Sequence, residues 1–355
     1  KDKKKLSGTI NNLNFNNTTI DWWLVDEIIS SCNKIVLTTH ENPDGDGLGA
    51  EVGLYYHLLE QGKDIKIINY SSLPKEYGFL NKDNIFESYN ETDHDEWLKT
   101  VDLAIVFDVG DFSRTRDVKI ALDKLGTATM NIDHHPHPLE HPFTHNLVDL
   151  NAAATGCMVY DYLQVARENE ISKDSMLGIY TAVMTDTGCF KYSNTDKKCH
   201  EIAIESLRSG IETSIIYQNI YENSPRSRMR LLGDLLSNLN YELSGEFAWF
   251  SISQKMLKDA NASKSDVEGF TDIIRSIRGV EVSVMIFEAS EKKCRVNFRS
   301  KGKYKINDIA QSIGGGGHAY ASGAMLNASL EDTIKDVVAK TKTSLEQKME
   351  YLKNK

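Results

Sequence analysis

Short apolar runs separated by stretches of helical period fill the first half of the chain. Residues 34–40 (KIVLTTH) form a run suited to a buried strand, 48–61 repeat with helical spacing up to Gly62, and 64–70 read as the next strand. Two further apolar runs, 101–109 and 127–133, each end in carboxylate, and 152–168 and 172–184 read as helices, the second capped by Ser172. Such runs with helices between them predict a parallel sheet covered on both faces. Trp22, Trp23, Leu24 and Ile28 mark an amphipathic helix that packs on this core.

The texture changes near residue 214. Residues 214–240 read as one long or broken helix, polar and Arg-bearing around Pro225, which is its expected kink or break. Beyond it come β-like 246–253, helical 263–278, β-like 280–288 and 294–300, the glycine run 314–317 and a charged helix from Leu330. The expected fold is α/β: a parallel-sheet domain over 1–213 with 1–20 flexible, a linker helix over 214–240, and a smaller α+β domain over 241–355.

Length agrees, since 355 residues at roughly 100–200 per domain make about two domains. The net charge of −10 argues against a broad phosphate-gripping surface, so long duplex nucleic acid is not an expected partner. A short anionic substrate held by a few local cations fits better. The longest apolar runs fall far short of the ~20 residues that span a bilayer, so no membrane is expected. Five scattered cysteines without a C-x-x-C pair indicate neither a disulfide framework nor a zinc ribbon. The basic start runs into an Asn-rich stretch instead of an apolar signal core, and the expected location is the cytoplasm.

Chemistry is concentrated at element ends. His40-Glu-Asn-Pro-Asp44-Gly-Asp46-Gly follows a strand and precedes a helix, where open α/β sheets place their sites. Asp108 closes LAIVF, Asp133-His134-His135 closes TMNI, and Asp186 sits in MTDTG at the end of a helical pattern. An unpaired carboxylate at the end of an apolar run is costly to bury, so the set reads as metal ligands. Carboxylates with imidazoles and no thiolate suit Mn²⁺, Mg²⁺ or catalytic Zn²⁺. The six ligands His40, Asp44, Asp46, Asp108, His134 and Asp186 are too many for one ion that must keep a water. They suit two ions ~3.5–4 Å apart with a shared Asp, the arrangement for phosphoester hydrolysis. In the second half, Gly314-Gly315-Gly316-Gly317-His318 offers backbone N–H groups to an anion without Cβ obstruction, with His318 as a further donor. Arg299 can supply a planar fork, with Asn297 on the same strand face; Arg295 reads as a member of a surface ion pair.

These motifs, in this order, resemble the DHH phosphoesterase superfamily, in particular members with a DHH-associated C-terminal domain, the NrnA-type oligoribonuclease (nanoRNase)/pAp phosphatases. The resemblance implies two divalent ions, Mn²⁺ or else Mg²⁺. His40, Asp44 and Asp108 would hold one ion and Asp46, Asp108, His134 and Asp186 the other, with Asp108 as the bridge. It also implies a catalytic pair in which His135 touches the scissile phosphate while Asp133 orients an imidazole. Asn297, Arg299, Gly315, Gly316, Gly317 and His318 would bind the nucleotide. The implied substrates are short oligoribonucleotides, linear dinucleotides such as pApA and pGpG, and pAp; a homodimer is compatible with the sequence. A family II pyrophosphatase lacks the 314–318 segment, a RecJ-type exonuclease needs a positive groove, and a cyclic dinucleotide phosphodiesterase of this type sits behind membrane spans. An inactive regulator would not need every ligand position filled. His137, His141 and His145 are read as solvated loop histidines, and Phe190 as core.

Overall fold

Seven parallel strands frame the first half of the chain. In the computed structural model, which describes residues 12–354, these are β1 (Asn14–Asn16), β2 (Lys34–Thr39), β3 (Asp64–Asn69), β4 (Phe86–Ser88), β5 (Leu103–Phe107), β6 (Thr129–Asp133) and β7 (His145–Val148). Their order across the sheet is β1-β7-β6-β5-β2-β3-β4. Alternate side chains of a strand point to opposite faces, and both faces are covered. Ile35, Leu37, Ile105, Phe107 and Ile132 pack under α1 (Trp22–Ser31), α2 (Gly45–Glu60), α5 (Thr155–Ala166) and α6 (Lys173–Asp186). Val36, Ile68, Ala104 and Val106 face α3 (Glu91–Leu98) and α4 (Asp117–Leu125).

Helices α7 (Lys197–Arg208) and α8 (Thr213–Tyr221) complete this unit. The chain divides between Asn223 and Ser224, not at 213/214. Ile216 of α8 is buried with Tyr180, Met184 and Ile211, which ties that helix to the first unit. The expected linker helix over 214–240 is therefore two helices. Glu222 to Pro225 break the run, and α9 (Arg226–Ser237) belongs to the second unit. The expected flexibility of residues 1–20 also changes: 1–11 lie outside the described residues, but β1 pairs with β7 in register Phe15 to Leu147.

The second unit carries β8 (Asn240–Glu242), β9 (Phe247–Ile252), α10 (Gln254–Ala260), α11 (Phe270–Arg275), β10 (Val282–Ser290), β11 (Lys293–Ser300), α12 (Asn307–Ser312), β12 (Gly316–His318), β13 (Ala321–Leu326) and α13 (Leu330–Lys353). Its mixed sheet has the order β12-β13-β11-β10-β9-β8. One face buries Phe250, Met285 and Phe287 with Leu231, Leu257 and Phe270; the other buries Val284, Val296 and Phe298 with Ile309, Val337 and Leu345.

Close helix approach positions the first unit's chemistry. A Cβ on Gly49 of α2 would lie 2.3 Å from the Gly178 carbonyl oxygen, and one on Gly178 of α6 would lie 2.6 Å from the Gly49 carbonyl oxygen. Neither neighbour is a side-chain tip that can yield. Gly49→Ala is therefore expected to destabilise by about 1–3 kcal/mol despite a helix-propensity gain of about 1 kcal/mol. Gly78→Ala, which meets nothing within 4 Å, serves as control. Denaturant midpoints measure both; equal midpoints would refute the seam.

Candidate active site

The carboxyl ends of β6, β5 and β2 lie side by side in the sheet, and each delivers polar side chains. His40 follows β2, Asp108 follows β5, and Asp133 ends β6 with His134 and His135 behind it. Asp44 is the N-cap of α2 and accepts the backbone N–H of Asp46 and Gly47 at 3.1 and 3.3 Å, which fixes the helix start. Asp46, in the first turn, is fully buried and accepts the N–H groups of Thr155 (2.7 Å) and Gly156 (2.9 Å) at the start of α5. A helix N-terminus favours a negative charge there. Asp186 is the last residue of α6.

These ends converge. His134 Nε2 lies 3.4 Å from a carboxylate oxygen of each of Asp46, Asp108 and Asp186. His40 Nε2 lies 3.8 Å from Asp44 and 3.7 Å from Asp108. Three sets have ligand atoms all within 4.8 Å of one another: His40/Asp44/Asp108, Asp46/His134/Asp186 and Asp108/His134/His135. Asp108 occurs in two of them. Both key imidazoles are aimed by their other nitrogen: His40 Nδ1 donates to the Glu41 carbonyl (2.7 Å), and His134 Nδ1 to that of Ala152 (3.1 Å). That turns Nε2 of each ring toward the carboxylates, the usual pose of a metal-binding histidine. His134 Nε2 is buried without a hydrogen-bond partner among the described residues.

Electrostatics carry the same message. Burial pushes the Asp46 carboxyl well above its usual range, and Asp108 and Asp186 add their repulsion. Burial also raises Asp186, to about 7, against the pull of His134. Burial opposes the charge of Asp108 too, yet His134, His135 and His40 hold its pKa well below the usual value. Burial likewise works against protonated His40 and His134, but their carboxylate neighbours, Asp108 first, carry them up to about 10 and about 11. A buried group of carboxylates that raises imidazoles this far is a chemical environment fitted to divalent cations.

Asp133 lies behind the ligands. It is fully buried and accepts four hydrogen bonds: from Gly110 N (2.6 Å), His135 N (2.9 Å), His135 Nδ1 (2.9 Å) and His137 Nε2 (2.7 Å). Burial would raise its pKa, but His135 and His137 hold it below the usual range. Its contacts fix the rings of His135 and His137. His137 is no solvated loop histidine: its side chain is 2% exposed. His145 is buried as well and accepts Leu13 N–H at 3.1 Å, while His141 stacks on Phe143. The four-residue spacing from Asp133 to His137 is the one signal the sequence offers, hidden by the prolines on either side of His137, Pro136 and Pro138. Thr155, which donates to Asp108 (3.2 Å), and Glu51, buried beneath the site, were also missed. Phe190 packs between Tyr180 and His200.

In the second unit, directly paired residues share a sheet face. Arg299 pairs with Ala321, which pairs with His318; Asn297 pairs with Gly323, which pairs with Gly316. Arg299, Asn297 and His318 thus stand on one face around a floor of small residues. Arg299 Nε is 3.8 Å from Asp272, and Asn297 Oδ1 is buried without a hydrogen-bond partner among the described residues. Arg295 pairs with Glu268 at 2.7 Å. The glycines differ from an open anion loop. Gly314 and Gly315 donate their N–H groups to Gln311 and Ala310 at the end of α12, and Gly316 and Gly317 lie in the edge strand β12. Gly315 is required by packing, since a Cβ there would lie 2.1 Å from the Gly323 carbonyl oxygen.

Comparison with known proteins places this geometry. Residues 34–185 match the DHH family N-terminal domain, and residues 250–346 match the DHHA1 domain. The chain is 30% identical over 304 residues to a bifunctional oligoribonuclease and PAP phosphatase NrnA of Thermus thermophilus, covering 85% of this chain and 87% of the relative. It is 28% identical to the Bacillus subtilis protein of the same name, covering 84% and 91%. The crystal structure of an exopolyphosphatase-related protein from Bacteroides fragilis superposes with a TM-score of 0.85 at 27% identity, covering 94% of this chain and 97% of that one. With both domain models matched in order and the Thermus relative covered over most of its length, the chain belongs to the DHH family, among its members that carry a DHHA1 domain.

Proposed function

We propose that the protein is a two-metal phosphoesterase that hydrolyses short oligoribonucleotides, linear dinucleotides and pAp. The observation that carries this reading is the buried His134 Nε2, 3.4 Å from a carboxylate oxygen of each of Asp46, Asp108 and Asp186. His40, Asp44 and Asp108 would hold one ion, and Asp46, Asp108, His134 and Asp186 the other, with Asp108 shared. Mixed imidazole and carboxylate donors favour Mn²⁺, with Mg²⁺ a weaker occupant. Two divalent ions supply Lewis acidity to an attacking water and neutralise charge on the phosphoryl group. In the reaction the water oxygen bonds to phosphorus and gives up a proton, the ester P–O bond breaks, and the leaving ester oxygen takes up a proton to become a hydroxyl.

The chain's own residues do the rest. Asp133 sets the ring of His135, which we assign to the scissile phosphate. Arg299, Asn297 and His318 grip the nucleotide over the floor of Gly316, Ala321 and Gly323. The activities for which the Thermus and Bacillus relatives are named, oligoribonuclease and PAP phosphatase, support this choice of substrate class. Among the described residues no helix is long and apolar enough to cross a membrane, and all five cysteines are free. Both observations support a place in the cytoplasm.

Chelation should abolish phosphate release from pAp and added Mn²⁺ restore it, whereas full turnover in excess chelator would sink the reading. Asp108→Ala should cost about a hundredfold or more in kcat, since it strips a ligand from both ions and exceeds the 10–100-fold typical of an outer partner.

Asp133→Asn should fall within that 10–100-fold range while the protein retains its bound Mn²⁺, because it disturbs His135 and His137 and leaves the ligands in place. Metal analysis of the purified variant decides; loss of metal would make Asp133 part of the ligand framework.

Arg299→Ala should reduce kcat/KM on pAp by about ten- to a hundredfold, the worth of a charge-assisted contact of about 1.5–3 kcal/mol. Bis-p-nitrophenyl phosphate, which lacks a nucleotide to grip, should be hydrolysed at nearly the wild-type rate. Equal losses on both substrates would assign Arg299 to the fold.

A further inference from the structure

Beneath the ligand-bearing ends of β2 and β5 runs a buried polar chain that takes no part in the chemistry above. Glu51 of α2 is fully buried. Its Oε2 accepts a hydrogen bond from Asn69 Nδ2 at 2.9 Å. Asn69, at the end of β3, turns its Oδ1 to the Thr39 N–H (2.9 Å) and the Thr38 hydroxyl (3.3 Å). The Thr39 hydroxyl then donates to the Phe107 carbonyl at 2.9 Å. Thr39 and Phe107 immediately precede His40 and Asp108.

A carboxyl group in this position is expensive. Its Oε1 is buried without a hydrogen-bond partner among the described residues, and burial raises its pKa to about 8, against the hydrogen bond from Asn69. A leucine would fill the space at lower cost. What the acid supplies is an acceptor facing Asn69. An Asn side chain can turn either its oxygen or its NH₂ toward a backbone N–H, and only the oxygen bonds to it. With Nδ2 engaged on α2, a flipped Asn69 would set donor against donor at Thr39. The acid thereby selects the orientation that pins the end of β2 and, through the Thr39 hydroxyl, the end of β5.

We propose that Glu51 is a positioning residue for His40 and Asp108, acting through Asn69 and Thr39 to aim the two side chains that share one ion. This rests on the two-metal reading. Calorimetric titration of the chelator-stripped full chain with Mn²⁺ alone tests it, with melting transitions recorded in parallel. Glu51→Met and Asn69→Ala should each weaken one of two binding steps by about tenfold or more and leave the other nearly unchanged, the scale of losing an outer partner. The double variant should be no weaker than the worse single one, because the two residues act in series. Glu51→Gln should bind almost as wild type, since its amide oxygen still accepts from Asn69. If Glu51→Met does not fold, Asn69→Ala against Glu51→Gln carries the comparison. Two unaltered steps in folded variants, or equal weakening of both steps with a lowered melting temperature, would overturn the inference alone. A wild-type chain that takes up no Mn²⁺ overturns the two-metal reading and this inference with it.

Discussion

Packing the carboxylates of Asp46, Asp108 and Asp186 around the His134 ring, with the exposed Asp44 beyond them at His40, is the constraint on which the rest of the first unit depends. Asp46 is fully buried and Asp108 nearly so, with Asp44 and Asp186 beside them. Their mutual repulsion in a low-dielectric interior would push the ends of β2, β5, α2 and α6 apart unless each charge is met. Two backbone N–H groups meet Asp46, a threonine hydroxyl and imidazoles meet Asp108, and helix capping meets Asp44. The same imbalance that makes the site costly is what a divalent cation would relieve.

Rigidity follows from how those groups are delivered. Asp108 has φ 57°, a left-handed conformation that costs a non-glycine residue about 1–3 kcal/mol. Its side chain is held by Thr155 and three imidazoles, and two residues on, the Gly110 N–H is bonded to Asp133. The glycine contact between α2 and α6 brings Asp46 and Asp186 to one histidine. A side chain between those helices would move both carboxylates away from His134.

The second unit solves a different problem with the same element, glycine. Gly315 and Gly317 let the chain around β12 lie close to β13, Gly323 lets β13 lie close to β11, and the freed surface becomes a floor flanked by Arg299, Asn297 and His318. The polar groups that face outward there are side chains on a sheet face, because the N–H groups of Gly314 and Gly315 already cap α12.

The local sequence by itself determined much of this. Apolar runs ending in Asp or His marked β2, β5 and β6, since a carboxylate at the end of a buried strand needs a partner of high charge. The motif from His40 to Asp46, the Asp133-His134-His135 triplet, Asp186 and the glycine run were legible because each is contiguous. Other features were decided only by tertiary packing. Residues 137 and 145 share polar, proline-flanked surroundings with a surface loop, and only the fold tucks their rings against Asp133 and Leu13. The break between the units depends on which core Ile216 joins, and the use of the glycine N–H groups depends on where α12 ends. Glu51 lay in an ordinary helical pattern, where Glu is a common surface residue. Its burial beneath two ligands is a property of how α2 packs on β2 and β3, and a linear pattern does not carry the three-dimensional neighbours that give a side chain its role.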